Sequence, residues 1–444
     1  MFLLTDTQID YTPQYVNIGV LCFGLILCVL LLWKIKFADK GYKLLFFTYL
    51  LFWVPLMLTR DNTGNIERAI EPGKTNYYVW IPLMSYGLIG IFARTLGDWF
   101  CFKNKSRKSF IYFAFFIQLV TYIPIIIYPS LTTNIIQSVG VGIGASCVGT
   151  YQLFFNEQYG KSKHFLTISI LSIPPLLADI ISAPISSIFR SSNQFDADSL
   201  KYLWLIGLGF VLIAFILTLF IKENRELLFL DNQNKTPLKN KKEYLNFILL
   251  SFVGLLVIFI KFANSGATAE MHVQTISKNT SGPYEAYLTL IFNVGQLLAG
   301  VLTGLVLTKY FDDLYIFASG IIIWIIYIST TILIENPFVY MGIHVLNGIG
   351  YGILYNLIMI FVLRYFFEKT KKVTPMGIYQ SILSIGIACS NTLVGWLKGQ
   401  YNSKDIDAYL NEMKIIGAIL IAASVVCLGL FCLNYQLNKR WIKR

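Results

Sequence analysis

The chain has 444 residues, of which 56% are hydrophobic and only 14% charged, with a formal net charge of +12 and a mean hydropathy of +0.62. Soluble domains carry about 25% charged residues and less apolar content. The composition therefore excludes a water-soluble enzyme and a disordered or collagen-like chain, and it indicates a polytopic membrane protein.

The positive charge would suggest nucleic-acid binding in a soluble chain. Here the basic residues cluster in short loops between apolar runs, as in the cytoplasmic loops of membrane proteins. We therefore expect no nucleic-acid partner. The seven cysteines show no CxxC spacing, the three histidines form no ligand motif, and no glycine-rich phosphate loop is present. These patterns predict no metal site and no cofactor.

About thirteen apolar runs are long enough to cross roughly 30 Å of hydrocarbon. In chain order they fall near 16–35, 43–59, 77–97, 109–128, 132–156, 164–189, 202–221, 245–264, 284–308, 315–334, 338–363, 375–397 and 415–435. Together they predict an all-α fold of membrane-spanning helices.

The charges around the first run predict its orientation. Asp6 and Asp10 precede it, and four lysines between residues 34 and 43 follow it, which is the reverse of a secretory signal. Threading from an outside N-terminus leaves 25 Lys and Arg residues in inner loops and 9 in outer loops. Because cytoplasmic loops are enriched in basic residues, we expect the N-terminus outside and the C-terminus in the cytoplasm.

Two sequence patterns recur in the second half of the chain. Ser-Ile-Leu-Ser-Ile at 169–173 returns at 381–385, 212 residues later. The three alternating glycines within 140–144 match those within 348–352 at an offset of 208. The shared order and spacing predict a duplication of six helices, which is one way in which transporters build two halves that rock about a site near the bilayer midplane.

The duplication sets the predicted domain boundaries. They are an extra N-terminal transmembrane helix (1–36), a six-helix bundle (37–221), a basic cytoplasmic linker (222–243), a second six-helix bundle (244–436) and a basic cytoplasmic tail (437–444).

The loop after the third run carries a recognisable motif. Residues 94–100 read Arg-Thr-Leu-Gly-Asp-Trp-Phe, and Lys103, Lys105, Arg107 and Lys108 follow. This segment resembles the signature Gly-x-x-x-Asp-(Arg/Lys)-x-Gly-(Arg/Lys)-(Arg/Lys) of the major facilitator superfamily, with Arg94 in place of the first glycine and Trp99 in place of a base. Residues 304–309 form a degenerate copy that lacks the acid. The resemblance implies a 6+6 helix fold with one additional N-terminal helix.

A cytoplasmic latch is predicted around this loop. Asp98 lies where a helix meets the cytoplasm, where an acid can accept hydrogen bonds from basic side chains or cap a helix. Glu157 is similar to the acidic partner of this latch in the family. With Arg94, Arg107 and Lys108 these acids would hold the halves together; the alternative is a set of solvated interfacial charges.

Charged side chains inside membrane helices usually face a cavity or a partner. Lys261 is a candidate to bind an anionic substrate group, and the alternative is a lysine that reaches outward to lipid headgroups. Asp179 is a candidate to carry a coupling proton or bind a cation, or it forms a structural hydrogen bond. The two could also pair with each other. Arg94 could reach the interface or pair with Asp98 four residues on.

Other polar residues recur on the predicted helices of the second half and are further candidates for substrate binding. They are Tyr379, Gln380, Asn391, Asn293, Gln296, Asn347, Tyr351 and His344. For each of them the alternative is a hydrogen bond between helices.

These features predict a secondary active transporter and not an enzyme. We expect a monomeric multi-pass protein of the plasma membrane that moves a small polar or anionic solute by rocker-switch alternation, with proton coupling as an option. Its partners would be the lipid bilayer, the solute and a coupling proton. One alternative is an efflux pump for amphipathic drugs. Another is a non-transporting scaffold or a membrane-embedded transferase, which would need a clustered nucleophile, acid and base.

Overall fold

The computed structural model describes most of the chain. The described residues are 12–34, 40–60, 62, 66, 69–70, 77–159, 173–189, 197–224, 241–276, 286–367, 375–399 and 406–442. Most of the predicted linker (225–240) and the first part of the span 164–189 lie outside them.

The described residues form fifteen α-helices of ten or more residues, which we number in chain order. They are α1 (Thr12–Lys34), α2 (Lys40–Arg60), α3 (Tyr77–Asn104), α4 (Arg107–Ile127), α5 (Leu131–Ala145), α6 (Cys147–Tyr159), α7 (Ile173–Phe189), α8 (Ala197–Leu219), α9 (Lys241–Ala263), α10 (Ala267–Ile276), α11 (Leu288–Leu302), α12 (Asp313–Thr331), α13 (Pro337–Phe367), α14 (Pro375–Gly399) and α15 (Ile406–Ile442).

Nine stretches among the described helices are apolar and long enough to cross a membrane. One of them covers α5 and α6, which are separated only at Ser146. The apolar stretches in α1, α7 and α11 are shorter, and α3 has 28 residues. With these four helices the structure contains the thirteen predicted spans. The short helix α10 was not predicted, and α11 continues through a π turn at Thr303–Leu307.

Capping side chains set several helix starts. The Ser106 hydroxyl accepts a hydrogen bond from the Ser109 amide at the start of α4, and Asp312 caps α12 in the same way. Ser130 forms a reciprocal capping box with Thr133 at α5. Such side chains satisfy amides that have no acceptor inside the helix.

The same helix neighbours occur in both halves of the molecule. In the first half α5 packs against α3 and α4, while α8 packs against α2 and α4. In the second half α13 packs against α11 and α12, while α15 packs against α9 and α12. The halves meet where α3 packs along α14 and where α7 meets α11. We call these contacts the α3–α14 seam and the α7–α11 seam.

The two glycine triplets allow close helix packing, although with a shifted register. Gly142 faces the backbone of α3, whereas Gly348 and Gly352 face the backbone of α11. The remaining glycines face other helices: Gly140 and Gly144 face α4, and Gly350 faces α12. Two residues turn an α-helix by about 200°. At the predicted offset of 208, Gly140 and Gly142 match Gly348 and Gly350, but each member of a matched pair then faces a different kind of partner helix. The two triplets therefore share a packing role without a residue-by-residue correspondence.

Helix α1 precedes the two similar halves, α2–α8 and α9–α15, and contacts both of them. Gly24 lies directly on Ile180 of α7. The Asn17 side-chain oxygen accepts a hydrogen bond from the hydroxyl of Tyr287, one residue before α11. A polar contact of this kind joins helices within a membrane. The extra helix therefore covers the α7–α11 seam.

Candidate functional site

A cavity of about 130 Å³ lies between the two halves. Helices α2, α3, α5, α6 and α7 line it from the first half, and α9, α11, α13 and α14 from the second. Its polar side chains include Arg60, Arg94, Gln152, Lys261, Asn293, Gln296, Asn356 and Gln380. Its aromatic side chains are Tyr49, Trp53, Tyr86, Phe262, Phe292, Tyr351 and Tyr355. Mostly apolar walls with a few converging polar groups are typical of a small-molecule site.

Three lining side chains carry a positive charge: Arg60, Arg94 and Lys261. Among the described residues that line the cavity, none is Asp or Glu. The lining therefore favours a negatively charged or electron-rich guest, because a cation would meet like charges from both halves.

Lys261 lies inside the cavity and is surrounded by rings. Its Nζ is 4.0 Å from the ring centroid of Phe262, 5.3 Å from that of Phe292 and 5.9 Å from that of Tyr351. A cation over aromatic faces gains electrostatic attraction in a poorly hydrated site. The sequence left substrate binding and a lysine directed to headgroups open for this residue; the structure places its ammonium among rings that line the cavity.

Arg60, at the end of α2, approaches the same ring from the first half. Its Cζ is 5.8 Å from the ring centroid of Phe262, and its Nη2 is 3.4 Å from the Met57 sulfur. Arg60 and Lys261 thus place positive charge on one aromatic ring from opposite halves.

Arg94 faces the second half and not Asp98. Its Nη1 donates to the Gln380 carbonyl oxygen at 2.8 Å and to the Gln380 Oε1 at 3.0 Å. Its Nε is buried and has no acceptor among the described residues. Arg94 was predicted as a member of the latch, and the structure places it in the cavity wall.

Asp179 and Asn293 form a buried contact across the α7–α11 seam. The Asn293 amide donates to Asp179 Oδ2. Asn293 lines the cavity, whereas Asp179 lies behind it. The hydrogen bond between helices that was the alternative for Asp179 is therefore present.

Three of the predicted latch residues, Asp98, Arg107 and Glu157, form an ion-pair network, and all three lie in the first half. Arg107 Nε and Nη2 donate to the two oxygens of Glu157 at 3.0 and 2.8 Å, and Nη1 donates to Asp98 Oδ1 at 3.3 Å. These three residues belong to α4, α6 and α3. The second half takes part through Gly377, since a Cβ there would lie 2.6 Å from Asp98 Oδ2.

The Lys108 side chain forms no hydrogen bond with the described Asp98–Arg107–Glu157 network and instead binds the C-terminal end of α8. Its Nζ donates to the carbonyl oxygens of Leu219, the last residue of α8, and of Ile221 just after it, at 2.7 and 3.0 Å. The carboxylate of Glu223 accepts from the amides of Arg107 and Lys108 at the start of α4. An acid there complements the positive end of the helix. Lys108 therefore anchors the entry to the linker.

Five of the ten predicted substrate-binding residues line the cavity: Lys261, Asn293, Gln296, Tyr351 and Gln380. Besides Asp179, the remaining four are buried and do not line the cavity. Asn391 donates to the Leu83 carbonyl oxygen, Asn347 donates to the Asn264 carbonyl oxygen, His344 bonds the Tyr327 hydroxyl, and Tyr379 packs against Gly254. For Asn391, Asn347 and His344 the predicted alternative, a contact between helices, is what the structure contains.

Sequence reasoning missed several cavity residues. Arg60 was assigned to an outer loop because it lies at the end of an apolar run. Others belong to apolar or aromatic runs in which lipid-facing and cavity-facing side chains look alike; they are Tyr49, Trp53, Tyr86 and Gln152. Gln152 is a polar residue within a span, and that signal could have found it.

No known family profile matches the sequence, and no curated protein matches it. Solved structures do match the fold. Two crystal structures of the nucleoside transporter NupG align with TM-scores of 0.62 at 14% and 13% identity, over 87% and 88% of this chain and 100% and 99% of theirs. An inward-facing, occupied bacterial homologue of the human lysosomal transporter Spinster aligns with a TM-score of 0.61 at 14% identity, over 90% of this chain and 98% of its own. The chain therefore has the major facilitator fold, as its sequence predicted. Helix α1 is an additional span that precedes the twelve spans of that fold.

Proposed function

We propose that the protein is a secondary active transporter that moves a small polar anion by exposing the central cavity alternately to the two sides of the membrane. The observation that carries this proposal is the cavity lining, with Arg60, Arg94 and Lys261 present and no acid among the described lining residues. Proteins of the same fold that are named as transporters support the transport step.

The lining suggests how a solute would be held. Guanidinium groups bind carboxylates and phosphates through two parallel hydrogen bonds, while an ammonium acts as a point charge. The amides of Asn293, Gln296 and Gln380 would add hydrogen bonds to polar oxygens. In this proposal Lys261 and Arg94 bind charge from the second and first halves, respectively.

The two seams suggest how access would alternate. The halves touch along α3–α14 and α7–α11, so rocking one half against the other would open these contacts at one end and close them at the other. Asp179 lies beside the cavity and would carry the coupling proton, because its protonation would change its bond to Asn293. The distribution of basic loops supports an outside N-terminus, and the plasma membrane as the location is part of the same proposal.

The alternative within the same fold is efflux of amphipathic drugs, which the seven aromatic lining residues favour. Flux into proteoliposomes distinguishes the two functions. The panel would contain mono- and dicarboxylates, phosphate esters, nucleosides and cationic dyes. We expect an anion to accumulate in a manner that needs protein; transport of the dyes alone would refute the anion proposal.

A further inference from the structure

Resting on the proposed function, we propose that Arg94 binds the substrate's carboxylate or phosphate while it still holds Gln380, so that an occupied cavity stabilises the closed α3–α14 seam. Arg94 would then be the residue through which occupancy of the site controls the contact between the halves, and Gln380 would be its positioning residue.

The guanidinium of Arg94 is only partly used in this structure. Nη1 makes both hydrogen bonds to Gln380. Nε is buried and has no acceptor among the residues that the structure describes. Nε and Nη2 form the side edge of the guanidinium plane, which is the edge that matches the two oxygens of a carboxylate or phosphate. Arg94 lines the cavity, so an oxyanion that pairs with this edge would not displace Gln380, although a small shift must first uncover the buried Nε.

Arg94 lies within the tightest part of the seam. On one side of it, a Cβ on Gly90 would lie 2.7 Å from the Ser384 hydroxyl oxygen. On the other side, the hydroxyls of Thr95 and Ser381 are 2.7 Å apart. The seam cannot open at this level without separating Arg94 from Gln380.

The positive charge of Arg94 then favours closure of the α3–α14 seam when an anion is bound and disfavours closure when none is bound. Both acceptors of Arg94 in Gln380 are neutral, and a buried cation held by neutral groups loses much of its hydration energy. Opening the seam would return water to the guanidinium, whereas a bound anion would compensate the charge in place. A ligand shifts such an equilibrium by the difference between its affinities for the two states.

The experiment measures seam closure directly. Cysteines replace Thr95 and Ser381, and disulfide formation in the purified protein is followed by mass spectrometry of the linked peptides, with each single cysteine variant as a control. The added probes are inorganic phosphate, succinate and glycerol 3-phosphate, with succinamide and glycerol as neutral matches. We expect at least one anion to accelerate cross-linking about tenfold, within the usual range of coupling between sites, and the neutral compounds to have no effect.

Three further substitutions in the double-cysteine protein separate binding of the anion from its effect on closure of the seam. Gln380→Leu should keep the thermal stabilisation by the anion and lose the acceleration. Arg94→Lys should keep part of the stabilisation but lose the acceleration, because one ammonium cannot serve both partners in this geometry. Arg94→Gln should lose both, and its elution in size-exclusion chromatography reports whether it folds.

The outcomes are distinguishable. If no anion stabilises the parent protein or changes its cross-linking, the anion proposal falls, and this inference falls with it. If an anion stabilises the parent but leaves cross-linking unchanged, or if the acceleration survives Gln380→Leu and Arg94→Lys, the coupling role of Arg94 alone is overturned.

Discussion

Asn293 of α11 donates a hydrogen bond to Asp179 of α7, and this contact joins the two halves at a point buried from solvent. Asp179 is 2% exposed and Asn293 5% exposed. The bond brings together a titratable group and a cavity-lining amide, so a change in the protonation of Asp179 would act directly on the wall of the cavity.

Replacing Asp179 by Asn tests the proton role. The amide oxygen can still accept from Asn293, so we expect the variant to fold with a thermal midpoint close to that of the parent. Accumulation driven by a pH gradient should disappear, while exchange of solute persists. Uptake and counterflow in proteoliposomes measure both. The control is Ser186→Ala on the same helix, which removes a hydrogen bond with Asn62 but no titratable group. An Asp179→Asn protein that still concentrates solute would place the proton elsewhere.

Substitutions of Lys261 test charge recognition. Lys261→Ala should abolish affinity for an anionic solute because the cavity loses one of three positive charges, and Lys261→Arg should retain part of it. Concentration-dependent uptake of the solute found in the flux panel measures the change. Lys309→Ala, at an exposed position, removes the same charge far from the lining residues and should be neutral. Indifference to both Lys261 substitutions would dismiss a role in binding.

Arg107→Leu tests the stability of the latch. The side chain is fully buried and holds Asp98 and Glu157. Losing one partner of a buried ion pair costs about 3–5 kcal/mol, since the remaining charges stay buried. We expect a large drop in the free energy of unfolding, measured by denaturant titration in detergent micelles. Adding Asp98→Asn and Glu157→Gln should restore part of the loss, because it removes those charges. Lys103→Ala, exposed in the last turn of α3, serves as the control.

Two glycines of α13 form a matched pair for testing helix packing. A Cβ at Gly348 would lie 2.8 Å from the Phe292 carbonyl carbon and 2.9 Å from the Gln296 amide nitrogen, whereas Gly342 has nothing within 4 Å. Gly348→Ala should therefore push α11 away and cost roughly 1–3 kcal/mol. Gly342→Ala should be near neutral. Thermal unfolding measures both, and equal stability of the two variants would contradict the close approach of α11 and α13.

The helices and the fold could be predicted because hydrophobic length is a strong signal over thirteen runs, and the motif around Asp98 identified the fold. The cavity was harder to predict. Lys261 was found because a lone charge in an apolar run is conspicuous. Arg60 was missed because it ends its helix, and Tyr49 was missed because aromatic residues also face lipid.

The partners of charged residues were the least predictable feature. Sequence spacing allowed Arg94 to pair with Asp98 four residues on, but Asp98 is held by Arg107 and Arg94 reaches Gln380, 286 residues away. Spacing along one helix reports only neighbours on that helix. Contacts between halves depend on how the seams pack, and that information is not local in the sequence.

Helix α1 makes the two flanks of the molecule unequal. It covers the α7–α11 flank, while the α3–α14 flank presents bare apolar side chains such as Leu88, Phe92 and Ile378. Lipid tails can therefore touch the seam directly on one flank but meet α1 first on the other. Among the described residues, a compound dissolved in the membrane would therefore meet the α3–α14 seam uncovered but would find α1 in front of the α7–α11 seam.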